Sequence, residues 1–215
     1  MPLPERLAAQ LELRLQAALH HEALPLGVHV GHLEVEQQPL HRAAVATRGY
    51  AVGLAEIVRE AGVTKGALYH HFEGGKTDLF RAVLAQVQAE VAQTVAATAD
   101  AEPDPWAQLT AGCRAFLTAS TDPAVRRIML IDGPAVLGWS EWRAMDEAES
   151  ASHLADSLAA LVEAGIIVPQ PVAPLARLLS GAMNEAALWL AETGDPTDLD
   201  AVLAALFRMM EALRS

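Results

Sequence analysis

From Lys76 onward, apolar positions recur at the spacing of a helix. Leu79, Val83, Val87, Val91 and Val95 stand four apart, with Phe80 and Leu84 beside them, so one face of a long helix is predicted to be buried. A loop signal at 101–105 ends it. A second helix is predicted over 106–120, with Leu109, Cys113, Phe116 and Leu117 on one face, and a third over 123–131. Asp132-Gly133-Pro134 is expected to interrupt that third helix, because proline lacks the amide hydrogen a helix interior needs. A short turn then leads to Trp139. A long amphipathic helix follows over 141–164, ended by Gly165, and the last two are predicted over 171–193 and 196–213.

Upstream of Lys76 the helices are short. Leu54, Ile57, Val58 and Ala61 fall at i, i+3, i+4 and i+7, the buried face of a helix over 54–61. Gly62 can end it in the left-handed conformation without side-chain cost. Thr64 can cap the next helix, 65–72, with its hydroxyl. That helix turns Lys, Tyr and His outward. A helix-turn-helix that reads DNA has this form, a short second helix held on the first with cationic and hydroxyl groups exposed.

Residues 1–48 fit less well. A helix is possible over 3–20, with Leu7, Leu11, Leu15 and Ala18 on one side. The run LGVHVGHLEVEQ then alternates like a strand. A three-helix reading domain needs a first helix just before Gly49-Tyr50, and Pro39 leaves only 40–47 to supply it. An N-terminal elaboration produces such a pattern; so does a shifted frame, a wrong start or a degenerate gene.

The run AGVTKGALYHHF followed by K-x-D-L-F spans both short helices, the turn and the start of the long helix, and it resembles the TetR family of bacterial transcription regulators. The resemblance implies an all-α fold, a three-helix N-terminal DNA-binding domain and a larger helical C-terminal bundle that dimerises and binds an effector. The segment 126–143 also resembles a C-terminal domain of one branch of the family. On this reading residues 1–48 are an atypical segment, 49–84 the reading domain (its first helix within 40–48) and 85–215 the effector-binding and dimerisation domain. Two departures flank the motif: Gly53 replaces the usual capping Thr or Ser, and Glu73-Gly74-Gly75 looks one residue long.

Each reading-helix residue has a chemical role. Thr64 and the helix N-terminus can hold a phosphate. Lys65 can reach a phosphate or a guanine edge. Gly66 and Ala67 let the backbone approach the bases, and Ala67 can touch a thymine methyl. His70 can contact either. The resemblance implies phosphate contacts for Tyr69, His71 and Lys76, while Leu68 and Phe72 read as core.

Charge supports the division. The chain has 15 Lys and Arg against 27 Asp and Glu, a net −12. Residues 42–81 carry six positive and four negative side chains, and the remainder carries nine and 23. The reading segment is therefore the part that is not acidic. Apolar content of 52% describes a globular chain. No stretch reads as a membrane span or a secretion signal, and the single Cys113 cannot form an internal disulfide, so a cytoplasmic protein is expected.

No nucleophile elbow, phosphate loop, dinucleotide fingerprint or zinc-protease motif is present, so no catalytic residue, cofactor or metal is expected. His70 and His71 are adjacent and point to different sides of a helix, and His29 and His32 would lie on opposite faces of a strand. An effector pocket is expected beside the 132–134 break, lined by Trp106, Phe116, Met129, Trp139, Trp142, Met183 and Trp189, and suited to a small apolar or aromatic molecule. The expected function is a ligand-responsive regulator, in the family's usual role a repressor, binding a near-palindromic duplex operator as a homodimer. Two other readings stay open: a degenerate member that binds ligand or protein without DNA, and a small helical enzyme.

Overall fold

The computed structural model describes residues 49–60, 64–148, 152–195 and 197–215. The segment 1–48, with the strand-like run around His29 and His32, and Gly62 lie outside these residues. Among the described residues the fold is all-helical, with one isolated antiparallel bridge between Ile167 and Arg214.

A 3₁₀ turn, Gly49–Ala51, leads to α1 (Leu54–Glu60) and α2 (Lys65–His71). No hydroxyl is needed to start α1, because the Gly53 carbonyl accepts from the amides of Glu56 (2.9 Å) and Ile57 (3.1 Å). Val52, Ile57, Leu68, Leu79 and Phe80 are buried and form the core of the head. The additional residue before the long helix is absorbed by Gly75, which sits at φ 64° as the N-cap of α3 (Lys76–Asp100). A side chain there would also press on the Tyr69 ring, with its Cβ 3.1 Å from Cε1.

The body is built around α4 (Pro105–Ser120), which packs against α3, α8, α9 and α10. Asp104 caps α4 by accepting from the amides of Trp106 (3.1 Å) and Ala107 (2.9 Å), and Pro105 occupies the first turn, where its missing N–H costs nothing. Then come α5 (Pro123–Arg126), α7 (Trp139–Asp146), α8 (Ser152–Glu163), α9 (Val172–Thr193) and α10 (Asp198–Glu211). Between α5 and α7 lie a π-helical stretch, Arg127–Asp132, and α6 (Gly133–Leu137).

Two expectations are corrected here. Asp132-Gly133-Pro134 does not break the chain's helical path. The helix widens into the π-turn, in which the Gly133 amide donates to the Ile128 carbonyl, and Pro134 has no amide to satisfy. The real break falls at Gly138, φ 80°. The helix predicted over 141–164 starts earlier, at Trp139, and its described parts are α7 and α8. Gly165 does end α8, at φ 66°, with the paired bonds of a Schellman motif: Ile166 N–H to Leu161 O (2.9 Å) and Gly165 N–H to Val162 O (3.0 Å).

Candidate nucleic-acid interface and cavity

The head presents α2 outward. Leu68 is buried beneath it, while Thr64, Lys65, Gly66, Tyr69 and His70 are exposed and His71 is half-buried. Ala67 lies on the same helix. Leu68 donates its amide to the Thr64 carbonyl at 3.1 Å, so Thr64 stands at the N-cap position. The His70 and His71 rings meet edge to face at 5.3 Å, and among the described residues no group of three His, Cys, Asp or Glu is placed to hold a metal. Lys76 opens α3, its ammonium 4.1 Å from the centre of the Tyr50 ring. Thr64, Lys65, Tyr69 and Lys76 thus belong to one small structural unit, as a phosphate-contacting surface requires.

Tyr50 fastens this head to the body. Its ring stands edge to face on Phe80 (5.4 Å, 80°), and its hydroxyl is 3.0 Å from Thr77 Oγ1. Its backbone amide donates to Asp132 Oδ2 in the π-turn at 2.8 Å. A second tie runs through side chains. Gly74 N–H donates to Asp78 (2.6 Å), Asp78 pairs with Arg81, and Arg81 Nε donates to Glu141 on α7 at 2.5 Å. The Gly74 amide, then Arg81, hold the Asp78 carboxyl below the usual range, and Glu141, then Asp78, raise the Arg81 guanidinium. Sequence reasoning places Phe80 on a buried helix face and Asp132 at an expected helix break, but gives neither them nor the other residues an anchoring role. Their signal is conformational and long-range, since Tyr50 and Asp132 are 82 positions apart.

A cavity of about 230 Å³ opens in the body between α3, α4, α7, α8 and α9. Its walls are small or apolar on two sides: Ala92, Val95, Ala96 and Ala99 of α3 face Leu109, Gly112, Cys113 and Phe116 of α4. Asp146 of α7, His153 and Asp156 of α8, and Ser180 and Met183 of α9 close the rest. Asp146 is 3% exposed and receives Arg143 at 2.9 Å. Burial pushes its carboxyl above the usual range, and the Arg143 charge opposes that. Burial also pushes the Cys113 thiol up to about 12, so it lines the wall as a neutral, unreactive group.

Of the seven residues expected around a pocket, Phe116 and Met183 line this cavity. The other five stand elsewhere. Trp142 is buried, donating its indole N–H to the Met129 carbonyl at 2.7 Å, and Met129 is itself core. Trp139 is 67% exposed and leans on Trp142. Trp106 ties α4 to α10 by donating to Glu211 at 3.1 Å, and Trp189 is exposed on α9. A separate open cleft of about 250 Å³ lies beside Arg114 and Phe207. Among the described residues no helix is long and apolar enough to cross a membrane.

The chain matches two family models. Residues 42–83 match "Bacterial regulatory proteins, tetR family", and residues 106–213 match "Tetracyclin repressor-like, C-terminal domain". The first match reaches back into the segment from which a first helix was expected. Among solved structures, a TetR-family transcriptional regulator from Pectobacterium atrosepticum is 30% identical with a TM-score of 0.74, covering 86% of this chain and 95% of that one. The fatty acid degradation regulator FadR from Bacillus halodurans shares the fold at 14% identity, TM-score 0.67, over 82% of this chain and 96% of that one. The HTH-type transcriptional regulator LmrA of Bacillus subtilis (strain 168) is 37% identical over 68 residues. That alignment spans 32% of this chain and only 34% of the relative. Motif, fold and family models agree, and the chain belongs to the TetR family of DNA-binding transcription regulators.

Proposed function

We propose that the chain is a ligand-responsive repressor that binds a near-palindromic operator as a homodimer. Residues 49–84 serve as the reading head and 85–215 as the effector-binding and dimerisation domain. The observation that carries this is the outward face of α2, with Lys65, Gly66, Tyr69 and His70 exposed above a buried Leu68. Thr64, Tyr69, His71 and Lys76 take phosphate, Lys65 reaches a phosphate or a guanine edge, Gly66 and Ala67 approach the bases, and His70 contacts either phosphate or base. In a dimer two such helices enter successive major grooves about 34 Å apart. The test is a gel shift on a duplex selected from a random pool. Lys65→Ala and Lys76→Ala are each expected to weaken binding and to flatten the plot of log affinity against log salt by about one counterion. A slope unchanged in both variants overturns the assignment, and no selected duplex at all favours the ligand-binding dimer without DNA.

Dimerisation is supported by a face the protomer leaves open. From the sequence, two wide apolar faces are expected to need a partner, Leu175, Leu178, Leu179, Met183, Ala186 and Leu190 on α9 and Leu199, Leu203, Leu206, Phe207 and Met210 on α10; of these Leu179, Met183, Leu190, Leu203, Leu206 and Met210 are buried within the chain, while Leu178 is exposed. Left exposed on α9 and α10 are Leu178 (73% exposed), Trp189 (44%) and Met209 (56%), interspersed with Gly181, Ala201, Ala204 and Ala205. Small residues between large apolar ones permit close helix approach, as a self-complementary two-fold interface needs. Light scattering is expected to give a dimer at micromolar concentration and a monomer for Leu178→Glu combined with Met209→Glu. A monomeric parent protein removes the two-fold reading.

The cavity walled by Phe116 and Met183 is the proposed effector site. At about 230 Å³ it falls below the ~300–1,000 Å³ common for drug-sized ligands, so a small molecule is expected. Asp146 on its wall belongs to α7, and Glu141 of the same helix holds Arg81 of α3. A ligand that displaces α7 therefore acts on the helix that carries the head, and it switches DNA binding only by its preference for one arrangement over the other.

A further inference from the structure

We infer that the effector is a small lipophilic cation, a protonated or quaternary amine on an apolar frame. The inference rests on reading the cavity as the effector site and concerns what charge that site accepts.

Among the described residues that line the cavity, three are carboxylates, Asp100, Asp146 and Asp156, and none is Lys or Arg. A guanidinium, Arg143, touches the lining through Asp146 (2.9 Å) and Ser180 Oγ (3.3 Å), and its charge is already engaged by Asp146 and by Glu147 at 3.4 Å. His153 stands on the same wall, exposed at its edge.

These facts discriminate between ligand charges. An anionic ligand would give up its hydration to enter a largely apolar space whose adjoining guanidinium is already paired, and would face the like charges of Asp100 and Asp156. A neutral ligand gains only apolar contact. A cation gains the same contact and the field of three carboxylates in a medium less screening than water. It also meets Phe116, whose aromatic face attracts ammonium groups, and the polarisable sulfur of Met183. Asp146 is the carboxylate that gains most. It is 3% exposed and has one guanidinium for its charge, so a second cation would offset part of its lost hydration. Asp100 and Asp156 are exposed and would draw the cation to the mouth.

Three probes on one frame separate the possibilities: benzyltrimethylammonium, benzyl alcohol and phenylacetate, each titrated calorimetrically into the full-length protein. The cation is expected to bind at least tenfold more tightly than benzyl alcohol, and phenylacetate at least tenfold more weakly. In Asp100→Asn/Asp156→Asn the preference is expected to shrink, and with Asp146→Asn added to vanish, the cation then falling to the affinity of benzyl alcohol in the same variant. Ala96→Phe and Gly112→Leu each fill the cavity and are expected to abolish binding of both. Equal affinity for cation and alcohol, with both lost in the filled variants, overturns the charge assignment and leaves the effector cavity standing. Cation binding that survives Ala96→Phe places it on the acidic surface and overturns the inference. No binding by any probe removes the cavity as an effector site and the inference with it.

Discussion

Replacing Trp142 by alanine is expected to lower the midpoint of thermal unfolding by about 6–20 °C. A buried Trp→Ala change costs about 3–5 kcal/mol, and a chain of this size loses roughly 2–4 °C per kcal/mol. Three features place Trp142 at the upper end of single-site effects. It is 3% exposed. Its indole N–H satisfies the Met129 carbonyl at 2.7 Å inside the π-turn, where the ordinary i→i+4 ladder is disturbed. Its ring also lies against Gly133, where an added Cβ would stand 2.7 Å from Cδ1 and 3.0 Å from Nε1. Gly133→Ala is therefore expected to cost about 1–3 kcal/mol by overpacking, because the ring it meets is buried and hydrogen-bonded and cannot swing aside. Trp142→Phe keeps the apolar contact and orphans the carbonyl, for about 1–3 kcal/mol. In the double variant Gly133→Ala/Trp142→Phe the smaller ring makes room, so the two costs are expected to sum to less than their separate values. Additive costs, or a Trp142→Ala midpoint within 3 °C of the parent, would show that the π-turn is held by something other than this ring.

That π-turn also marks where sequence reasoning stopped. Proline at 134 has a strong local meaning, and the pattern before it ends convincingly. What carries the chain through as a helix is a ring that arrives eight positions later, on α7, and packs on Gly133. Nothing within a few residues of Pro134 encodes that. Where the determinant was local, the reading and the structure agree. The four-residue spacing from Leu79 to Val95 gave α3, and Gly165 ended α8. The exposed residues of α2 followed from the alternation of Leu68 and Phe72 with Lys, Tyr and His.

The cavity was missed for a physical reason. Large aromatic side chains suggest pocket lining in a sequence, yet in a close-packed interior large side chains fill space. Trp142 and Met129 are core for that reason, and Trp106 is committed to a hydrogen bond with Glu211. Open volume lies instead where side chains are small: Ala92, Ala96 and Ala99 at i, i+4 and i+7 on α3, opposite Gly112 on α4. That stripe was visible in the sequence, but its meaning depends on which helix faces it.

Tyr50→Ala is expected to weaken binding to a selected duplex about 100-fold while leaving the body's unfolding midpoint within a few degrees. The residue closes three contacts within the head, all on the helix that joins the head to the body. Its ring stands on Phe80 at 5.4 Å, a geometry worth about 0.5–1.5 kcal/mol beyond area burial. It carries the Lys76 ammonium at 4.1 Å, worth about 0.5–1 kcal/mol at a partly exposed site. Its hydroxyl meets Thr77 Oγ1 at 3.0 Å, about 1 kcal/mol. Together these approach 3 kcal/mol, or about two decades of affinity, if they hold the head in the orientation that DNA selects. The head is small, with few buried side chains of its own, so a lost anchor is not shared among many others. Tyr50→Phe removes the hydroxyl alone and is expected to cost less than tenfold. Asp132→Ala leaves the Tyr50 amide without its 2.8 Å acceptor and releases Arg127, so it is expected to weaken DNA binding about tenfold without touching any DNA-facing side chain. The salt dependence separates positioning from contact. A residue that only orients the head lowers affinity at every salt concentration and leaves the slope unchanged, whereas loss of a phosphate contact flattens it. Since Tyr50→Ala also frees Lys76, its slope is expected to fall by at most about one counterion, and that of Asp132→Ala not at all. Tyr50→Ala binding within threefold of the parent would place the head's orientation under the Gly74–Asp78–Arg81–Glu141 chain instead.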